Sequence, residues 1–82
     1  MKKTVFITQE VEIDLDESKL TEEMMAEFRE HFYQFNTIED HIKHLAWVAL
    51  QNGSMPDFVE GYGEVKDFGI TATVGFTESE IV

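Results

Sequence analysis

A small α+β fold, with two helices packed on one face of a small antiparallel sheet in the order β–α–α–β–β, is predicted for this chain of 82 residues. Three patterns predict it. Apolar and polar residues alternate over Thr4 to Asp16 and again over Ile70 to Thr77, the period of a half-buried strand. Between them, apolar residues recur every three or four positions, the period of a helix with one buried face. A glycine-punctuated stretch with Gly61, Gly63 and Gly69 separates the helical region from the last strand.

The first strand sets Val5, Ile7, Val11, Ile13 and Leu15 on one side and Thr4, Thr8, Glu10, Glu12, Asp14 and Asp16 on the other. Phe6 and Gln9 interrupt the pattern. Thr21 is placed to cap the first helix, with Glu22 and Glu23 in its positive first turn. Met24, Met25, Phe28, Phe32 and Phe35 form its apolar stripe, and the pattern carries the helix to about Phe35 or Asn36. Thr37 caps the second helix, and Asp40 three residues on approximates a capping box. Ile38, Ile42, Leu45, Ala46, Ala49 and Leu50 form the expected buried stripe, ended by Asn52 and Gly53 with Pro56 beyond. Phe58 to Val65 reads as a short strand leading into a turn at Lys66–Asp67. Ile70, Ala72, Val74 and Phe76 then alternate with Thr71, Thr73, Gly75 and Thr77, as the antiparallel partner of the first strand. The segment Glu78 to Val82 is expected to pair briefly or fray. One apolar face per element, with no repeat or linker, implies one domain over residues 1–82.

A domain of this size buries only about 60% of its unfolded surface. With no cysteine it has neither a disulfide nor a thiolate metal site. Dimerisation, or tight packing around Trp47 and the phenylalanines, is expected to supply the missing stability. The formal charge is −11, from 17 carboxylates against 6 basic residues. That lies outside the roughly 2–8 units common for a small domain. Direct nucleic-acid binding is excluded by such a balance, because affinity for phosphates comes from Lys and Arg. A basic partner is favoured instead. No run approaches a membrane span, and Lys2 and Lys3 precede too short an apolar stretch for a signal segment. A cytoplasmic protein is expected.

The carboxylates Glu10, Glu12, Asp14 and Asp16 occupy alternate positions of a strand, in line at intervals of roughly 6.6 Å. That spacing is comparable to successive phosphates of a nucleic-acid strand. Glu22, Glu23, Glu27 and Glu30 supply a second acidic set on the first helix. The same residues equally suit two solvated faces. A third segment interleaves acids with aromatics, with Glu60, Tyr62 and Glu64 between Phe58 and Phe68. With Tyr33 it makes a candidate recognition surface, or else an edge strand whose rings pack inward.

Catalysis is not expected. Ser18 and Ser79 have no paired base in view, and the segment Glu60 to Glu64 lacks the lysine and length of a phosphate loop. The run Asp14 to Ser18 departs from a calcium loop after its first two acids and has no glycine. His31, His41 and His44 could approach one another across two helices, but they lack the HExxH spacing and are read as residues flanking the apolar stripe. Neither metal nor cofactor is assigned.

Two stretches, Phe28 to Ala46 (FREHFYQFNTIEDHIKHLA) and Asp57 to Ile70 (DFVEGYGEVKDFGI), carry a resemblance. They are similar to short proteins of proteobacterial phages and mobile elements, some of which are anti-CRISPR inhibitors of type I surveillance complexes. The resemblance implies a stoichiometric inhibitor that occupies the basic DNA-binding surface of a CRISPR ribonucleoprotein and excludes target DNA. It assigns no residue a role. The acidic sets above are the expected contacts on grounds of charge placement, with a homodimer also open. The alternative from another class is an acidic interaction adaptor or regulatory subunit that binds through Tyr33, Tyr62 and Phe68.

Overall fold

The computed structural model describes residues 1–82 and has the predicted α+β architecture. Strand β1 (Val5–Asp14) pairs antiparallel with β4 (Thr71–Ile81), from Val5 opposite Ile81 to Asp14 opposite Thr71. Helices α1 (Glu22–His31) and α2 (Ile38–Asn52) follow β1. Two short strands, β2 (Phe58–Val59) and β3 (Gly63–Glu64), form a separate antiparallel pair, and a 3₁₀ turn over Val65–Phe68 leads into β4. No helix is long and apolar enough to cross a membrane.

The helix caps follow from local chemistry. Thr21 Oγ1 accepts from the Met24 amide at 3.1 Å, and Thr37 Oγ1 from the Asp40 amide at 3.2 Å. The Asp40 carboxylate returns to the amides of Asn36 and Thr37, completing the capping box. Gly53 ends α2 in the left-handed conformation at φ 76°, where a side chain would be strained. Helix α1 stops at His31, short of the expected Phe35. The aromatic run Phe32, Tyr33 and Phe35 leaves the helix so that its rings can gather around Phe28. Two side chains meet the exposed carbonyls: Gln34 donates to Arg29 O at 3.1 Å and Arg29 to Phe35 O at 3.2 Å.

The core joins Leu20, Phe28, Leu45, Val59, Tyr62, Val65 and Ile70. Burying Leu45 alone contributes about 1.5–3 kcal/mol. Helix α2 lies against β1 and β4, and the half-buried Val11, Ile13, Ala72 and Val74 face it. Its inward line runs through Ile38, His41, Leu45 and Ala49. That line is turned from the expected stripe, so His41 is fully buried, Leu50 is exposed, and Trp47, expected to anchor the core, is 60% exposed.

The last strand also departs from expectation. Thr77 stands opposite Gln9, but Val74 opposite Val11, so β4 carries one extra residue at Gly75–Phe76 facing Glu10. This bulge reverses the alternation beyond it. Phe76, expected inward with Val74, is 66% exposed, and Thr77, Ser79 and Ile81 continue the face of Val74. Glu78 to Ile81, expected to pair briefly or fray, pair fully with Val5 to Thr8. Every residue of 1–8 and 75–82 is exposed. The two strands therefore project as a ribbon past α2, and the molecule measures 50 × 23 × 17 Å.

Candidate interaction surfaces

The solvent face of β1 carries Glu10, Glu12 and Asp14, all exposed. Across the strand pair stand Thr73 opposite Glu12 and Thr71 opposite Asp14, with the Gly75 bulge beside Glu10. None of the three is ion-paired, since the molecule's two salt bridges are Arg29–Glu22 at 3.0 Å and Lys66–Glu64 at 4.0 Å. The row keeps the strand interval of roughly 6.6 Å. Asp16, expected as its fourth member, lies beyond the strand end. Its carboxylate accepts from Ser18 N at 3.0 Å and Ser18 Oγ at 2.6 Å, capping a 3₁₀ turn. Those bonds, with Lys19 nearby, hold the Asp16 carboxyl below its ordinary range, against a small opposing effect of desolvation.

The helical acids Glu22, Glu23, Glu27 and Glu30 are exposed, as expected. Glu22 is partly neutralised by Arg29. Glu60 and Glu64 are also exposed, but Tyr62 between them is not. Of the two readings of Tyr62, a recognition surface or a ring packed inward, the structure takes the second: it is 6% exposed, because Gly61 and Gly63 at φ 92° and 80° turn the β2–β3 loop so that its ring enters the core. Gly61 lies so close to Phe28 that a Cβ there would collide with the Phe28 ring.

Inside, the Tyr62 hydroxyl and His41 Nδ1 are 2.6 Å apart, while His41 Nε2 has no partner. Phe28 meets His41 edge-on with ring centres 4.8 Å apart, and Phe35 does so at 5.2 Å. Burial lowers the His41 pKa, which the neighbouring Asp40 carboxylate raises in part, and His44 and Arg29 lower further. Burial also lowers the pKa of His44 and raises that of Tyr62. Nothing in the spacing of the sequence distinguished His41 from His44. No three His, Asp or Glu side chains come together as a metal site.

A groove of about 570 Å³ runs between the α1–α2 loop, α2 and β2. Tyr33, 55% exposed, Phe32 and His44 form one wall, and Phe58 and Glu60 the other. Tyr33 is thus where the sequence placed it, half exposed beside the Phe28 cluster. Phe58 takes the exposed role expected of Tyr62. Phe68, also named for that surface, is half-buried against the core, its ring edge-on to Tyr62.

The chain matches no family model, no curated protein and no solved structure.

Proposed function

We propose that this chain is a non-catalytic binding domain that occupies a basic nucleic-acid-binding surface on a protein or ribonucleoprotein and thereby excludes the nucleic acid. The observation that carries the reading is the unpaired line of Glu10, Glu12 and Asp14, opposed across the ribbon by threonines and a glycine bulge. Carboxylates left without internal cations are free to accept from Arg and Lys of a partner, bidentately where the partner offers Arg. The resemblance of Phe28 to Ala46 and Asp57 to Ile70 nominates a type I CRISPR surveillance complex as that partner. A non-catalytic role is supported by where the burial-shifted groups lie: His41 and Tyr62 are sealed in the core, and His44, which lines the groove, has no hydrogen-bonded partner to act with.

The test is competition. Purified surveillance complex, labelled target DNA and increasing protein should give stoichiometric displacement of DNA, weakening as salt rises. Glu10→Lys with Glu12→Lys should abolish displacement while the circular dichroism spectrum stays unchanged. Full inhibition by that folded variant would refute charge mimicry.

The groove between Tyr33, His44, Phe58 and Glu60 favours a second reading, an adaptor that grips a partner by exposed aromatics. It calls for binding that is insensitive to salt and lost on Tyr33→Ala or Phe58→Ala.

A further inference from the structure

We infer that the projecting ribbon is a self-association surface, and that two copies join through the free edge of β1 into a continuous four-stranded antiparallel sheet ordered β4–β1–β1–β4. The inference does not rest on what the acidic face binds, although Glu10 enters both: in the dimer it meets Lys2 of the other copy, and Glu12 and Asp14 stay unpaired.

A lone two-stranded ribbon is marginal in water. This one exposes apolar side chains on both faces: Val5, Ile7 and Ile81 on the side that faces α2 lower down, and Phe6 on the other. Both edges are unpaired, since β1 and β4 have only each other. An exposed, uncharged apolar edge is a template for a further strand. The β1 edge fits that description from Thr4 to Gln9, six residues without charge, proline or glycine.

The hydrogen-bond phase shows which groups are free. Thr4 O accepts from Val82 N at 2.9 Å, so the even residues Thr4, Phe6 and Thr8 turn their backbone groups toward β4. Val5, Ile7 and Gln9 therefore point their N–H and C=O outward from the ribbon.

Charge selects both the edge and the occupant. Lys2 and Lys3 balance Glu78 and Glu80, so the formal −11 lies wholly in residues 10–74 and the ribbon tip is neutral. Pairing β4 with β4 would bring Glu78 and Glu80 against their own copies, which is repulsive. Pairing β1 antiparallel with β1 about Phe6 does the opposite. It sets Phe6 beside Phe6, Val5 opposite Ile7, and Lys2 opposite Glu10 of the other copy. The strand is basic at its start and acidic beyond its apolar centre, so it is complementary to itself reversed. The two acidic bodies begin at Glu10 and would start about 27 Å apart at roughly 3.4 Å per residue. That is more than three Debye lengths at about 8 Å in physiological salt, so their repulsion is largely screened. The symmetry axis stands perpendicular to the sheet, and both Glu10–Asp14 rows come to lie on one face.

Sedimentation of the full chain from about 1 μM to about 1 mM should show the mass of two chains at the upper end, dissociating on dilution. Ile7→Pro removes an outward N–H without touching the bonds to β4 and should give one chain's mass throughout, with an unchanged circular dichroism spectrum. Lys2→Glu should weaken association about tenfold or more, and adding Glu10→Lys should restore it. A single chain's mass at every concentration overturns the proposal, as does a dimer that survives Ile7→Pro. Should Ile7→Pro unfold the chain, the charge exchange decides: no loss with Lys2→Glu, or no recovery with the double variant, overturns it.

Discussion

His41 Nδ1 lies 2.6 Å from the Tyr62 hydroxyl, a polar contact sealed between α2 and the β2–β3 loop. It ties the middle of the chain to its last third inside an otherwise apolar core. Tyr62→Phe leaves both His41 ring nitrogens buried without partners and should cost about 1–3 kcal/mol in urea unfolding. Pairing it with His41→Leu removes the stranded groups, and much of the loss should be recovered. A double variant as unstable as the sum of the two singles would show that the two side chains are uncoupled, and would refute the cost assigned to the stranded groups.

The same burial makes stability depend on pH. His41 and His44 both have pKa values below the ordinary 6.5 because the interior disfavours the imidazolium. The unfolded chain thus binds more protons than the folded one as pH falls below about 6.5, and stability declines there until the depressed folded values are passed. Denaturation midpoints measured between about pH 7.5 and pH 5 should fall with acidification, and the slope should shrink in His41→Leu. Asp16 and Asp40 act in a separate window. Their carboxyls are held below 3.8, Asp16 chiefly by Ser18 and Asp40 chiefly by the Asn36 amide, so their contribution is lost only as pH falls further through those lowered values.

Gly61 and Gly63 share a left-handed backbone but not their surroundings. A Cβ at Gly61 meets the Phe28 ring, whereas one at Gly63 meets nothing within 4 Å. Gly63→Ala should therefore cost only backbone strain, about 1–2 kcal/mol. Gly61→Ala adds the displacement of a core ring, for a total of about 2–4 kcal/mol. Chemical denaturation of the two variants side by side reads the difference.

Trp47 and Leu45 sit two residues apart on α2 with opposite fates, 60% and 0% exposed. Leu45→Ala should destabilise by about 2–5 kcal/mol through the cavity it leaves. Trp47→Ala should change stability far less despite the larger side chain, as thermal unfolding of the two variants will show. Trp47 borders the shallow surface formed with Gln9, Val11 and Leu50, beside the base of the ribbon. Its fluorescence should accordingly report events there rather than in the core.

Much of the fold was legible where the determining chemistry is local. The Thr21 and Thr37 caps, the Asp40 return bonds and the Gly53 stop each depend on residues within a few positions of one another, so their spacing is sufficient evidence. The same holds for the alternation of β1, which put Glu10, Glu12 and Asp14 in line. Asp16 left the row because Ser18, two residues on, offered its carboxylate a turn to cap. The end of α1 was misplaced because Phe32 and Phe35 keep helical spacing while serving a cluster around Phe28 that only the folded chain assembles.

The amino-acid sequence by itself determined the order of elements, the caps that bound the helices and the concentration of negative charge in residues 10–74, all of which follow from neighbours along the chain. Tertiary structure decided the rest. It turned α2 so that His41 went in and Trp47 out, bulged β4 at Gly75–Phe76 so that the tail could complete the ribbon, and drew Tyr62 from the surface into the core. Each of these outcomes depends on which distant partner fills a given space, and that is a property of packing which hydropathy periods along one segment do not encode.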